Sequence, residues 1–148
     1  MTETPSAPRA LRRRAHHVAL QALYEADATK HPVGTVLERL AEREELGRDG
    51  QEVARALVAG VTAALPEIDA MIAAAAPTWP LSQMARVDKN VLRLAIYEAF
   101  VDNAAVPVRA AINDAIELAK TFGSDSSTKF VNGVLATLAE RRPRTGGS

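Results

Sequence analysis

Residues 88–102 read Asp88-Lys-Asn-Val-Leu-Arg-Leu-Ala-Ile-Tyr-Glu-Ala-Phe-Val-Asp102. From Val91 to Val101 only Arg93 and Glu98 interrupt a surface that is apolar almost all round. A helix of that kind belongs at the centre of a core, with other helices covering every side. Asp88 is the expected N-cap of this helix, since its carboxylate can take a free N–H of the first turn.

The segments on either side follow the same helical period. Downstream, Pro107 stands where a helix favours a first-turn proline and Gly123 where it favours a C′ glycine. Between them Val108, Ala111, Ile112, Ala115, Ala119 and Phe122 share one face. Ser124-Asp-Ser-Ser127 offers several N-caps for a last helix with Phe130, Val131, Val134, Leu135 and Leu138 on its inner face. Upstream, Pro77-Thr-Trp-Pro80 reads as a rigid connector and a seam between two helical halves. Pro66 interrupts a longer apolar segment that starts near Asp49. A short helix from about Thr35 to Leu46 is expected to stop at Gly47, after the break at His31-Pro-Val-Gly34. The first helix, from about Arg9 to Ala28, is apolar on two sides, with Leu11, Ala15, Val18, Ala19, Ala22 and Ala26 on one and Leu20, Leu23 and Tyr24 extending the other. The expectation is an all-α fold of about seven helices. It forms a single domain over residues 9–142, between a flexible arm at 1–8 and a frayed tail at 143–148.

Composition agrees. The chain has 148 residues, 47% of them hydrophobic but only 4% aromatic, so Ala, Leu and Val must fill the core. It has no cysteine, which excludes disulfides, thiol nucleophiles and cysteine zinc sites. The longest apolar run, Ala70 to Ala76, is too short to span a bilayer, and the basic start lacks the apolar stretch of a signal peptide. A cytoplasmic protein with no membrane partner is expected. The net charge of zero hides a segregation: residues 1–24 and 129–148 each carry +3, and residues 25–60 and 61–128 each carry −3. Basic ends on an acidic body suggest one partner for the ends and another for the middle.

No catalytic pattern stands out. His16 and His17 are adjacent and point about 100° apart on a helix, so they do not chelate one ion, and no metal is expected. No nucleophile elbow, phosphate loop or dinucleotide fingerprint is present. Neither a cofactor nor enzymatic activity is expected. The positive signal is Arg12-Arg13-Arg14 at a helix start, with His17 one turn after Arg13 and Tyr24 further along the same stripe. Guanidinium groups fork onto phosphates, and Tyr24 and Phe130 each offer a π-face to an unstacked base. Read plainly, three consecutive arginines are a solvated charge run and Tyr24 is core.

Four ordered blocks shift that balance. Arg12-Arg-Arg-Ala-His-His-Val-Ala-Leu-Gln-Ala-Leu-Tyr24 resembles the opening of the NusB family of transcription antitermination factors. Lys120-Thr-Phe-Gly-Ser-Asp-Ser-Ser-Thr-Lys-Phe-Val-Asn-Gly-Val-Leu135 resembles its closing signature, and Val87–Glu98 and Val106–Lys120 match between them. The resemblance covers about residues 9–140. It implies two small perpendicular helical bundles, a boxA-like single-stranded RNA ligand and the ribosomal protein NusE as partner in an RNA polymerase antitermination complex. Carried over by position, it places Arg12, Arg13, Arg14, Lys129 and Phe130 at the RNA, beside His17 from the stripe, and Tyr24 and Asp88 at the protein partner. His16 stands where the family usually has Arg, which would weaken phosphate attraction. Asp88 and Asp114 replace Glu, and Ser126 replaces an acidic residue. A helical protein–protein module without specific RNA binding is the alternative, and the two-sided first helix leaves room for a homodimer.

Overall fold

The computed structural model describes residues 9–102 and 106–141, so the expected arm at 1–8 and tail at 143–148 lie outside the described residues. The described residues form seven α-helices and no strand: α1 (Arg9–Thr29), α2 (Val33–Arg43), α3 (Arg48–Ala63), α4 (Leu65–Ala75), α5 (Arg86–Ile96), α6 (Val108–Phe122) and α7 (Ser127–Arg141). A 3₁₀ turn at Leu81–Gln83 precedes α5, and a π turn at Tyr97–Val101 prolongs it. The all-α expectation holds. The chain separates into two compact units, Met1–Ala59 and Gly60–Ser148. The division falls inside α3 rather than at Pro77–Pro80, where the sequence suggested a seam. The prolines there end a helix without ending the packing, because α4 before them and α5 after them pack together.

In the first unit α1 packs along α2. Ala15, Val18, Ala19 and Ala22 are buried, and so are Leu20 and Leu23, which gives α1 the two-sided apolar surface expected. Val36, Leu37, Leu40 and Ala41 form the buried face of α2, and Glu38, Arg39, Glu42 and Arg43 stay exposed. The start and end of α2 differ from expectation. It begins at Val33, two residues early, because Pro32 in the cap position already has the fixed φ of −58° that leads into a helix. It ends before Gly47 because Leu46 is pulled into the core at 2% exposure. The Leu46 N–H bonds the Ala41 carbonyl at 2.9 Å and the Glu45 N–H bonds the Glu42 carbonyl at 3.1 Å, forming a Schellman stop. Glu45, at φ 54°, takes the left-handed position usually given to glycine.

In the second unit α4, α6 and α7 pack against α5. Val91, Leu92, Leu94, Ala95 and Ile96 are each at most 3% exposed, so the quoted segment is indeed the core helix. Its arginine is matched rather than expelled. Arg93 is 8% exposed and makes a two-pronged pair with Asp69 of α4, Nε to Oδ1 and Nη2 to Oδ2, both 2.9 Å. Arg93 Nη1 also donates to Asn90 Oδ1 at 3.1 Å, and Asn90 Nδ2 donates to the Arg86 carbonyl at 2.9 Å. A buried guanidinium is tolerable only with this kind of satisfaction.

Asp88 is not the N-cap. The helix begins at Arg86 behind Ala85, and the Lys89 N–H already bonds the Ala85 carbonyl at 3.0 Å. Asp88 is therefore the third helical residue, where its charge still faces the positive end of the helix dipole. Beyond Ile96 the ladder widens, and the Asp102 N–H reaches the Tyr97 carbonyl five residues back at 2.8 Å. The Tyr97 ring then lies over Gly60, where an added Cβ would sit 2.1 Å from Cζ. Burial and the neighbouring Asp102 and Glu98 raise the Tyr97 hydroxyl above its ordinary pKa. Gly123 also differs from expectation. It is extended, with φ −98°, and its missing Cβ leaves room for Ser127 Oγ, which would stand 2.4 Å away. That hydroxyl accepts the Ser124 N–H at 2.9 Å and ties the turn into α7.

Candidate nucleic-acid interface

The residues singled out from sequence fall on two surfaces, one in each unit. On α1, Arg13 and Arg14 are exposed, Arg12 and His17 are half-buried, and Tyr24 is 40% exposed. The helical repeat puts Arg13, His17 and Tyr24 within about 40° of one another around the axis. The plain reading of Tyr24 as core therefore fails. The helix is amphipathic enough to bury Ala15, Val18 and Ala22, and this stripe is what remains outside.

The three arginines are not equivalent. Arg14 Nη2 donates to the Glu44 carbonyl at 2.9 Å and to the Glu45 carbonyl at 3.3 Å. Those carbonyls follow the C-terminal turn of α2, where a cation meets the negative end of the helix dipole. Arg14 thus holds α1 to α2, and only part of its guanidinium remains to meet a phosphate. His16 corrects the sequence reading more sharply. It is 4% exposed, and its Nδ1 donates to the Arg12 carbonyl at 2.7 Å, since a carbonyl can only accept. Its ring faces inward, so His16 itself adds nothing to the surface stripe.

On the second unit, the first turn of α7 presents Lys129 exposed and Phe130 half-buried. The Ser124 N–H bond to the Ser127 hydroxyl and the Gly123 turn fix where that helix starts, and Val131, Val134 and Leu135 anchor its inner side. Phe130 stands at the edge of that face, as its spacing suggested. It has a neighbour that sequence reasoning did not single out. The Trp79 ring lies 6.1 Å from the Phe130 ring, tilted by 47°, and is 52% exposed. The signal was available: this is the chain's one tryptophan, set in a connector between Pro77 and Pro80 with no helical face to bury it.

Asp88 differs from these surface groups in being buried. It is 7% exposed, with one carboxylate oxygen, Oδ1, left without a hydrogen-bond partner. A buried acceptor with no donor is costly, so the site favours any donor that could reach it. Cations and flat rings are the groups by which proteins meet phosphates and unstacked bases. No single helix among the described residues is long and apolar enough to cross a membrane.

Comparison with known proteins points to one family. The profile described as "NusB family" matches residues 13–140. The transcription antitermination protein NusB of Roseiflexus castenholzii is 48% identical over 139 residues, covering 93% of this chain and 98% of its own. Among solved structures, T. maritima NusB superposes with a TM-score of 0.82 at 32% identity, over 94% of this chain and 95% of that one. A structure described as antitermination factors NusB and NusE in complex with dsRNA gives 0.82 at 26% identity, over 91% of this chain and all of that one. With matches in sequence and fold running through nearly its whole length, the chain belongs to the NusB family.

Proposed function

We propose that this protein binds boxA-type single-stranded RNA and, with a NusE-type ribosomal protein as partner, supports antitermination of ribosomal RNA transcription within an RNA polymerase complex in the cytoplasm. The observation that carries the reading is the stripe of exposed Arg13, half-buried His17 and exposed Tyr24 on the opening helix of a NusB fold. Arg12 and Arg14 extend the positive charge, and the first turn of α7 adds an exposed Lys129 and a half-buried Phe130. The structural relative described as a complex with NusE and dsRNA supports RNA as a ligand class and a NusE-type protein as partner. Tyr24, at 40% exposure, suits the protein partner. Asp88 suits it through the unpaired oxygen, which a donor brought by the partner would satisfy. The activity is binding, without chemical conversion of the RNA.

The test is a titration with a boxA-like single strand, a scrambled strand and a matched duplex, each across a salt series, with and without the NusE-type partner. Specific binding to the boxA strand that falls steeply with salt is the expected result. Equal binding of the scramble reduces the surface to a generic basic one. Capture of the partner with no RNA binding in either condition leaves a protein–protein module instead.

A further inference from the structure

We infer that Trp79 is a further RNA-contacting residue, forming with Phe130 one aromatic platform that stacks an unpaired base while Lys129 meets the adjoining phosphate. This rests on the RNA-binding reading above and adds to it a residue and a ligand feature. A tryptophan is highly buried in most folded proteins, yet Trp79 is 52% exposed. Nor is it a loose side chain. Pro77 and Pro80 restrict the backbone on both sides, and the Trp79 N–H bonds the Ala76 carbonyl at 3.1 Å. The Phe130 ring supports one side of the indole at 6.1 Å, and Phe130 is itself held by the first turn of α7. The exposed π-surface is thus positioned before any ligand arrives, which lowers the ordering cost of binding.

Charge decides the occupant. Lys129, the residue before Phe130 in the first turn of α7, is exposed, and residues 129–148 are the basic end of the chain. A flat face beside a cation fits a base and its phosphate, the combination by which proteins hold single strands. A duplex keeps its bases stacked on each other and has none to offer. The platform therefore selects unpaired RNA.

Trp79 is the chain's single tryptophan, so its fluorescence reports on this surface alone. Single-stranded boxA-type RNA should quench that emission in step with binding measured by anisotropy of labelled RNA; a matched duplex should quench it far less. Trp79→Ala should weaken single-strand affinity about 5- to 150-fold, the range for one lost base stack, with an unchanged thermal midpoint. Trp79→Phe should retain most of the affinity. Trp79→Leu keeps an apolar side chain against Phe130 but no flat face, and should lose as much as Trp79→Ala. Recovery of binding by Trp79→Leu would make the residue a mere support for Phe130 and overturn the proposal. So would RNA binding without quenching, or quenching by the NusE-type protein alone; both leave the RNA-binding reading standing. Absence of RNA binding by the unaltered chain, with partner present, removes both.

Discussion

The two units stabilise themselves with charge in opposite ways. In the second, the decisive pair is internal: Arg93, 10% exposed at its side chain, grips Asp69 with two bonds and passes a third to Asn90. In the first, the pairs ride on the surface. Arg55 forks onto Glu38 at 2.8 and 2.9 Å with both side chains about half exposed, Arg39 pairs with Glu25, and Arg14 bridges to the end of α2. The Arg55 guanidinium lowers the Glu38 pKa through its hydrogen bonds, yet the pair remains in water. Desolvation makes the same chemistry worth different amounts. One unit is anchored by buried charge; the other carries its charge at the surface.

The largest test of that contrast is Asp69→Ala. Removing one member of a buried pair costs about 3–5 kcal/mol, and the 29% exposure of the Asp69 side chain puts this case near 3. Denaturant unfolding should show that loss, while Glu38→Ala in the first unit should barely move the midpoint. Equal effects would erase the distinction. Leu135→Ala and Phe130→Ala sharpen it within α7. Leu135 is 0% exposed and should cost about 2–5 kcal/mol with no RNA defect of its own. Phe130 is half-buried and should cost less stability, together with about 1–3 kcal/mol of RNA binding. If Phe130→Ala unfolds the protein as readily as Leu135→Ala, the ring is core.

Arg13→Glu asks whether the displayed charge is spent on RNA. The exposed position predicts an unchanged melt, a weaker complex and a shallower salt dependence, by roughly the slope of one phosphate contact. A fall in thermal midpoint matching the loss of affinity would assign Arg13 to the fold.

These contrasts also mark how far the sequence could be read. The core position of α5 was legible because a run of apolar residues broken only by Arg93 and Glu98 leaves no solvent face. The purpose of Arg93 was not, because its partner Asp69 lies 24 residues away on another helix. Spacing put Arg13 and Tyr24 on one stripe, but it read Tyr24 as core, and only the structure shows that ring 40% exposed. Arg14 and His16 look the same in sequence, and the packing of α2 and the inward turn of one ring set them apart. Asp88 misled because capping chemistry depends on where the helix starts, two residues before it. Trp79 was missed because no periodic pattern runs through a proline-bounded connector.

The smallest expected effect concerns the end of α2, where local geometry alone decides. Gly47 resembles a helix stop in the sequence, but the left-handed residue is Glu45, at φ 54°. An L side chain there crowds its own carbonyl, at a cost of about 1–2 kcal/mol that glycine avoids. The unfolded chain gains freedom with glycine and returns about 0.5–1 kcal/mol of that. Glu45→Gly should therefore stabilise the first unit by about 0.5–1 kcal/mol, with the Leu46 bond to Ala41 kept. Gly47→Ala should not destabilise by a comparable amount, since Gly47 has no positive φ and an added Cβ meets no atom within 4 Å. Thermal melts of the two variants suffice. Stabilisation by neither, with a clear loss for Gly47→Ala, would return the stop to Gly47 and show that the pull of Leu46 into the core does not set the end of this helix.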